Sequence, residues 1–369
     1  MERRYEDALD LAARKLLRAI PLAAREPAIP YGSEGARFTP PPYDGNSWWT
    51  AGFWPALMWQ MYALRGDDAF LQEARRTQAL LGEELRRFKL LHHDVGFMYL
   101  LSDGADFKLT GDEAARVDTL HAATLLMGRF NPSGFVRAWN GPDQAGVAII
   151  DCMMNIPLLF WATRQTGDPR FARAACIHAD TTLREFIRPD GSACHIVELD
   201  PNTGVRVREP GGQGYAPGSS WSRGQAWALY GFTLAAINAG SDAYREAAGR
   251  IARYFIQNIR PDGLTDCDFR QPSTPERIDN IAGAVAACGL IELARLTGEE
   301  DYAAAACRLL DGLIAHCCDP DPDHPGLLTH CTASYHDDRA GVHTNILYGD
   351  YFFVEALCKL KGTDPMLWT

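Results

Sequence analysis

Apolar residues recur at helical spacing along almost the whole chain, whereas long strand-like alternation is nearly absent. The first apolar stripe, for example, runs through Leu9, Leu16 and Ile20. This pattern predicts an all-α protein. The predicted helices span residues 4–20, 51–65, 68–89, 94–102, 112–129, 145–165, 168–187, 221–239, 241–259, 280–297, 299–316 and 343–361.

Four junctions between these helices share one signature. Each has a glycine where one helical stretch ends and an aromatic residue four positions later. Glycine readily takes the left-handed conformation that ends a helix in a short turn, and short turns make antiparallel neighbours. The glycines are Gly66, Gly167, Gly240 and Gly298, and the aromatic residues are Phe70, Phe171, Tyr244 and Tyr302.

Longer loops separate the helical hairpins and hold much of the proline, glycine, tryptophan and histidine. Short turns at one end and long loops at the other predict a closed ring of six hairpins, an (α/α)6 barrel, with a pocket on the loop-bearing rim. An open helical solenoid is the alternative, although solenoid repeats are usually more regular. No linker interrupts the chain, which predicts a single domain over residues 1–369. The predicted loops are 21–50, 103–111, 130–144, 188–220, 260–279 and 317–342.

The charge and cysteine content narrow the classes of partner and compartment. A net charge of -11 argues against a nucleic-acid partner, because phosphate binding needs a basic face. The first twenty residues contain no continuous apolar stretch, and no apolar run is long enough to span a bilayer. The ten cysteines are scattered without a CxxC pair, as is typical of reduced thiols. These features predict a cytoplasmic protein with no membrane partner.

The second predicted helix begins with an unusual density of aromatic residues, which include Trp48, Trp49 and Trp54. The apolar C–H face of a sugar ring packs well on indole, so this segment could line a carbohydrate site. Core packing explains the same residues, because aromatic side chains dominate protein cores. The sequence leaves both interpretations open.

His92, His93 and Asp94 are the second candidate for chemistry. A carboxylate beside two imidazoles could serve acid–base catalysis, and Asp94 could also cap the following helix. A metal site is disfavoured because adjacent histidines rarely point the same way and no further ligand follows at a helical i+4 position. The histidines and cysteines at 316–343 fit no compact ligand pair either, so no metal site is predicted.

Asp151 is a lone carboxylate within an apolar stretch at 148–155. Burial disfavours its charged form, and a second carboxylate such as Asp94 would raise its pKa further. A carboxylic acid of raised pKa can act as a proton donor near neutral pH. The alternative is a structural carboxylate that bonds backbone N–H groups at a helix start.

The segment 213–227 combines a loop, a helix start and several polar and aromatic residues. Ser219 or Ser220 could cap the helix. Arg223 could bind a uronate carboxylate bidentately, or it could brace loops as a structural residue. His195 and Trp139 lie in other loops and carry little information when considered alone.

Taken together, the chain resembles the unsaturated glucuronyl hydrolases. The resemblance rests on W-T-A-G-F-W at 49–54, H-D-V-G-F-M-Y at 93–99, I-I-D-C-M-M-N at 149–155, Q-G-Y at 213–215, W-S-R-G-Q-A-W at 221–227 and Y-G-D-Y-F-F-V-E-A-L at 348–357. It covers the chain from its second helix to its last. It implies an (α/α)6 barrel, no metal or organic cofactor, and a small acidic unsaturated oligosaccharide as substrate. We infer no obligate protein partner from the sequence.

The resemblance also implies a reaction. Such enzymes hydrate the C4=C5 double bond that a polysaccharide lyase leaves on a terminal uronic acid, and the glycosidic bond then falls apart. Asp151 would protonate C4 and assist water, while Asp94 would hold charge, substrate hydroxyls or the proton state of Asp151. The implied contacts with the sugar are Trp49, Trp139, Trp221 and Trp227 around the rings, with His93, His195, Gln213 and Arg223 as polar partners.

Other functions remain as alternatives. The unsaturated rhamnogalacturonyl hydrolases share the implied fold and the W-x-R-G-x-x-W pattern. An inverting glycosidase on a helical toroid would use two carboxylates across a saturated bond. A carbohydrate-binding toroid would use neither for catalysis. The tail 359–369 lacks a serine cluster that some relatives use for sulfate, so the aglycone and the tolerance of sulfate stay open.

Overall fold

The computed structural model describes residues 3–369 and contains twelve α-helices within them. They are α1 (Arg3–Ala23), α2 (Phe53–Arg65), α3 (Asp68–Arg87), α4 (Asp103–Thr110), α5 (Glu113–Gly128), α6 (Pro157–Thr166), α7 (Pro169–Phe186), α8 (Ser222–Ala239), α9 (Asp242–Gln257), α10 (Asn280–Thr297), α11 (Glu300–His316) and α12 (Leu347–Lys361).

The helices form two concentric layers. In α2, α8, α10 and α12 nearly every side chain is buried, whereas α1, α3, α7, α9 and α11 each bury one face. A helix that is apolar all round belongs in the core, and an amphipathic helix belongs on its surface. The sequence therefore assigns alternate helices to the inner and the outer ring.

The inner ring closes on itself. Helix α2 packs against α12, α12 against α10, α10 against α8, and α8 against α6, while α2 also contacts α4 on its other side. A π-helical segment, Gly96–Leu100, packs on α6 and completes the circuit. The predicted (α/α)6 barrel is thus confirmed, and the open solenoid is excluded. The single-domain boundaries at 1–369 stay a prediction.

The four predicted hairpin glycines end their helices in the left-handed conformation, with φ between 62° and 75°. A fifth, Gly111 (φ 78°), ends α4, which had been predicted as part of the loop 103–111. That prediction was wrong because α4 has only eight residues and lacks an apolar stripe. Helical periodicity gives almost no signal for such a segment.

The predicted helix 145–165 was also wrong in its first half. Residues Val147–Ile149 form a strand, Ile150–Met154 form a 3₁₀-helical turn, and α6 begins only at Pro157. Proline fits the first position of a helix, where its missing N–H is not needed. Asp151 therefore lies in a tight turn ahead of the helix. Likewise, the predicted helix 94–102 is the π-helical segment, a form often found at functional sites.

Eight short strands lie in the long loops and make three small antiparallel sheets. The sheets order as β2-β1-β8, β3-β4 and β5-β6-β7, with β1 Gly32–Glu34, β2 Arg37–Thr39, β3 Phe130–Asn131, β4 Phe135–Val136, β5 Val147–Ile149, β6 Ile196–Leu199, β7 Arg206–Arg208 and β8 Asn345–Ile346. The β5–β6 pairing joins the turn that carries Asp151 to the loop that carries His195. The Ile150 N–H continues this link by donating to the His195 carbonyl at 3.0 Å.

Helix α10 has the length and hydropathy of a membrane-spanning helix, and it alone does so among residues 3–369. The lack of a long continuous apolar run had predicted no such segment. In this structure 78% of the segment is buried. An apolar helix of this kind is what the inner ring of a large α-helical core requires.

Gly96 marks a close approach between the two segments that carry the candidate carboxylates. A Cβ at this position would lie 2.5 Å from both the Cα and the carbonyl oxygen of Asn155. We expect Gly96→Ala to lower the free energy of unfolding by about 1–3 kcal/mol, because the backbones must separate. Gly82→Ala is the matched control. Its Cβ meets nothing closer than 3.6 Å, so it should stabilise α3 by about 0.5–1 kcal/mol. Urea unfolding of both variants checks this, and equal midpoints would refute it.

Candidate active site

Asp94 and Asp151 are joined through the side chain of Asn155. The Asn155 amide donates to Asp94 Oδ1 at 2.9 Å and to the carbonyl oxygen of Asp151 at 3.2 Å, and its own Oδ1 accepts the Phe97 N–H at 2.8 Å. Asn155 is completely buried. Because buried polar groups need partners, this amide fixes Asp94 relative to the turn that carries Asp151.

Asp151 lies at the boundary between the core and the loop-bearing rim. The residue is partly exposed, yet its Oδ1 is buried without a hydrogen-bond partner, and Ile150 and Cys152 on either side are fully buried. Burial raises the pKa of Asp151 to about 8, the charge of Asp94 adds to this rise, and Arg223 opposes it. The group is therefore mainly protonated at neutral pH and can donate a proton.

Asp94 has the opposite character. Burial alone would raise its pKa, but His93, His92 and the Asn155 amide outweigh burial and lower the pKa below its ordinary value. The side chain accepts from Asn155 and caps no helix, so the capping interpretation is wrong. Two carboxyl groups with opposite shifts are typical of an acid–base pair, in which one supplies a proton and the other supplies charge.

His92 and His93 point toward the same carboxylate oxygen. His92 Nδ1 lies 3.2 Å and His93 Nε2 lies 3.3 Å from Asp94 Oδ2. The expectation that adjacent histidines would diverge is therefore wrong, because the chain turns sharply before the π-helical segment. Burial lowers the pKa of His93 to about 4, against the raising effect of Asp94. In residues 3–369 these three side chains form the one cluster whose geometry could hold a metal ion.

His195 forms another wall of the site. Its ring lies 4.2 Å from the Trp221 ring, and its Nδ1 accepts the Gln213 N–H at 3.1 Å. Burial lowers the pKa of His195 to about 3, so the ring is neutral. With Nδ1 accepting, the hydrogen is assigned to Nε2, which can donate to a ligand. Gly212 is required here, since a Cβ would lie 2.0 Å from His195 Nδ1.

Gln213 and two tryptophans are partly exposed beside these groups. Gln213 Nε2 donates to the Ala333 carbonyl at 2.6 Å, which leaves its oxygen available. Trp49 packs against Tyr348 and Phe97, with ring centroids 4.9 and 5.5 Å away. Trp139 packs on a small apolar cluster beneath the rim. Both indoles keep an exposed part that a sugar ring could cover.

Trp227 and Trp221 lie deeper than the resemblance implied. Trp227 has no exposed surface and packs behind Phe97, at 5.2 Å between ring centroids. Trp221 is only 3% exposed and faces His195. Direct stacking of Trp227 on a sugar is therefore wrong in this conformation. Trp227 instead packs behind Phe97 and supports the side chains that line the site.

Arg223 is completely buried and is already engaged. Its Nη1 pairs with Asp279 and donates to the Thr332 carbonyl at 2.8 Å, and its Nη2 donates to the Ala333 carbonyl. The guanidinium carbon also lies 4.6 Å from the centre of the Trp221 ring. A bidentate grip on a substrate carboxylate does not fit this geometry, because the side chain is completely buried and both terminal nitrogens already donate to protein groups, although Nε has no partner. The bracing interpretation fits, and the charge acts on Asp151 from a distance.

Two residues of the site were missed as contributors. Asn155 was quoted only as the end of the motif at 149–155, although a polar side chain closing an apolar run is itself a signal of a buried hydrogen-bond network. Asp279 was assigned no role. Its pairing with Arg223 joins positions 56 residues apart, which no local pattern reveals.

Comparisons with known proteins agree with this site. The model of Glycosyl Hydrolase Family 88 matches residues 37–260. The unsaturated glucuronyl hydrolase of Bacillus sp. (strain GL1) is 37% identical over 379 residues, which cover 98% of this chain and 97% of that protein. The crystal structure of the Bacillus sp. GL1 enzyme covers 99% of this chain and 98% of its own, with a TM-score of 0.89 and 34% identity.

A second solved structure adds a ligand. An aspartate-to-asparagine mutant of the Streptococcus agalactiae unsaturated glucuronyl hydrolase, complexed with dGlcA-GalNAc6S, superposes with a TM-score of 0.81 and 27% identity, and covers 96% of this chain and 91% of its own. The family model matches more than half of this chain, and the Bacillus relative spans nearly all of it. The chain therefore belongs to Glycosyl Hydrolase Family 88, and it is an enzyme of the glycosidase class.

Proposed function

We propose that this enzyme releases a 4,5-unsaturated glucuronic acid from the non-reducing end of small lyase-generated oligosaccharides. The unsaturated glucuronyl hydrolases that resemble it support the substrate class, and one of them is complexed with dGlcA-GalNAc6S. The observation that carries the proposal is Asp151, a partly exposed carboxylic acid whose pKa is raised to about 8 beside a second carboxylate.

In this proposal Asp151 transfers its proton to C4 of the double bond, and the ring oxygen stabilises the positive charge that develops at C5. A water molecule adds at C5 and gives a proton to the Asp151 carboxylate, which restores the acid. The C5 hemiketal then opens by breaking its bond to the ring oxygen, and the hemiacetal at C1 expels the aglycone as an alcohol. One water is consumed, and the enzyme ends each cycle unchanged.

Asp94 acts in this scheme as a fixed negative charge. It raises the pKa of Asp151, and it favours the positive charge of the transition state, as preorganised electrostatics does in many enzymes. His93, His195 and Gln213 supply polar contacts to the uronate, and the exposed parts of Trp49 and Trp139 supply apolar ones. Arg223, which pairs with Asp279, has a supporting role in this scheme.

Two substrate pairs test the proposal. The first pair is an unsaturated chondroitin disaccharide and its saturated counterpart. We expect turnover of the unsaturated member alone, followed as loss of the ultraviolet absorbance of the conjugated uronate. Cleavage of the saturated member would instead identify an inverting glycosidase that acts across a saturated bond.

The second pair compares an unsaturated uronate linked to an amino sugar with one linked to rhamnose. We expect higher kcat/KM on the amino-sugar substrate. A preference for rhamnose would identify a rhamnogalacturonyl-type enzyme and overturn the aglycone class, while leaving the hydration reaction in place. The same assay on a sulfated unsaturated chondroitin disaccharide measures whether the enzyme tolerates sulfate.

We also propose that the enzyme works in the cytoplasm on imported oligosaccharides. The support is its ten free cysteines, seven of which are buried, since thiols persist in reducing compartments. Fractionation of cells that express the full chain tests this. Recovery of the activity outside the cytoplasmic membrane would refute it.

A further inference from the structure

The cluster of His92, His93 and Asp94 has a geometry that catalysis by Asp151 does not explain. His92 Nδ1 and His93 Nε2 both face Asp94 Oδ2, at 3.2 and 3.3 Å. The His92 Nδ1 atom is buried and has no hydrogen-bond partner, so its approach to the carboxylate lacks the alignment of a hydrogen bond. Three potential ligand atoms, one from each residue, lie within 4.8 Å of one another.

The two separations from Asp94 Oδ2 match the edges of a tetrahedral zinc site. Zinc binds imidazole nitrogen at about 2.0–2.1 Å and carboxylate oxygen at about 2.0–2.2 Å, which places neighbouring ligand atoms about 3.3–3.5 Å apart. Two imidazoles and one carboxylate also suit zinc, copper and nickel, whereas magnesium and calcium prefer oxygen ligands. The remaining Asp94 oxygen is held by Asn155 at 2.9 Å, so the carboxylate is already oriented.

From this geometry we infer that His92, His93 and Asp94 form an inhibitory binding site for a divalent transition metal such as Zn²⁺. Three protein ligands leave a fourth position for water, as in open zinc sites. His92 is partly exposed, which gives the ion a route to the site. The metal is an inhibitor in this account and supplies nothing to the reaction.

A bound metal ion would inhibit the enzyme in two ways, through its charge and by blocking the substrate. A bound divalent cation replaces the net negative charge beside Asp151 with a positive one, which favours loss of the proton that Asp151 must donate. The cation also blocks the side chains of His93 and Asp94, which would otherwise contact the uronate. This part of the inference rests on the proposed function, whereas binding of the metal does not.

The experiment measures metal binding and inhibition separately, on the full-length protein. Binding is followed by the visible absorption of tetrahedral Co²⁺ and by equilibrium dialysis with Zn²⁺. Inhibition is measured as the ratio of activity with and without Zn²⁺, with Mg²⁺ at the same concentration as the ionic control. We expect one tightly held ion per chain, reversal by a chelator, and no effect of Mg²⁺.

His92→Ala removes one ligand, and His121→Ala is its control, because His121 is an exposed histidine paired only with Asp118 at 3.8 Å. We expect His92→Ala to weaken Zn²⁺ binding and inhibition by at least about tenfold, since even outer-shell changes at metal sites cost about 10–100-fold. His121→Ala should retain both. Any loss of folding in His92→Ala would show in its unfolding curve, and the Co²⁺ spectrum of the unmodified enzyme would still report the site.

The possible outcomes separate the metal site from the proposed function. Zinc sensitivity of equal strength in His92→Ala, or no tetrahedral Co²⁺ spectrum in the unmodified enzyme, would refute the metal site and leave the proposed function intact. A His92-dependent ion that leaves turnover unchanged would confirm the site, refute inhibition, and count against the assignment of Asp94 and Asp151.

Discussion

Replacement of Asp151 by asparagine should lower kcat by about 10²–10⁴-fold, while the enzyme still binds its unsaturated substrate. The expected loss is the contribution typical of a positioned general acid–base group. Asparagine keeps the size and polarity of the side chain but cannot give a proton to C4. Steady-state kinetics gives kcat, and calorimetric titration with an unsaturated disaccharide gives the binding constant for the same variant.

Asp103 offers a matched control for this prediction. Burial raises its pKa to about 7, and it lies at the start of α4, where it contacts Ser102 rather than the site. Asp103→Asn should therefore retain kcat within about twofold, although both carboxyl groups are desolvated. Equal losses in the two variants would mean that structural damage explains them. A fully active Asp151→Asn variant would remove Asp151 from the mechanism.

Replacement of Asp94 by asparagine should move the alkaline limb of the pH–rate profile to lower pH. Activity requires protonated Asp151, so it should be present below about pH 8 and lost as the pH rises through that value. The charge of Asp94 raises the pKa of Asp151, second to burial. Without that charge the midpoint of the alkaline limb should fall by about one pH unit. At pH values above the midpoint the rate should then be about tenfold lower than that of the unmodified enzyme.

The pH dependence of kcat/KM for Asp94→Asn, compared with the unmodified enzyme, checks the second prediction. Asp143→Asn is the control, because Asp143 is an exposed carboxylate in the predicted rim loop 130–144. If the alkaline limb of Asp94→Asn stays at the pH of the unmodified enzyme, even with a lower rate, Asp94 contributes contacts with the substrate and does not set the pKa of Asp151. Because the two carboxyl groups interact, the limb belongs to the pair rather than to either residue.

Much of this fold could be predicted from local pattern. Helical periodicity and the glycine–aromatic junctions are short-range signals, so the hairpins at Gly66, Gly167, Gly240 and Gly298 were predicted correctly. The failures are segments where local signals conflict. In 145–165 the apolar run suits a strand, a turn or a helix equally, and pairing of β5 with β6, almost fifty residues later, decides the outcome.

The same distinction holds for the site. Asp151 was predicted because an isolated charge among apolar residues is visible in the sequence, and Asp94 because it is a carboxylate next to two histidines. The amide of Asn155 that joins them bridges positions 61 residues apart, and the Arg223–Asp279 pair is equally remote in sequence. Such contacts depend on the closed ring. The resemblance supplied the identity of these residues, but it did not reveal that Arg223 is occupied and Trp227 is buried.

The buried Arg223–Asp279 pair changes how the uronate carboxylate is recognised. We expect uncharged donors such as the His195 Nε2–H to supply the direct contacts, while Arg223 contributes charge through the protein. Neutral donors in a partly desolvated pocket bind an anion without the desolvation cost of a second charge. They also leave the pKa of Asp151 high, since a direct cation would lower it.

Transfer of a proton to C4 is the central claim, and turnover in D₂O tests it most directly. The account predicts that the first product molecules carry one deuterium at C4, on a single face, at a level above that of preformed product kept in D₂O for the same time. Nuclear magnetic resonance or mass spectrometry of the released uronic acid reports this. Product whose C4 label never exceeds the slow exchange of that control would contradict protonation of the double bond by the enzyme.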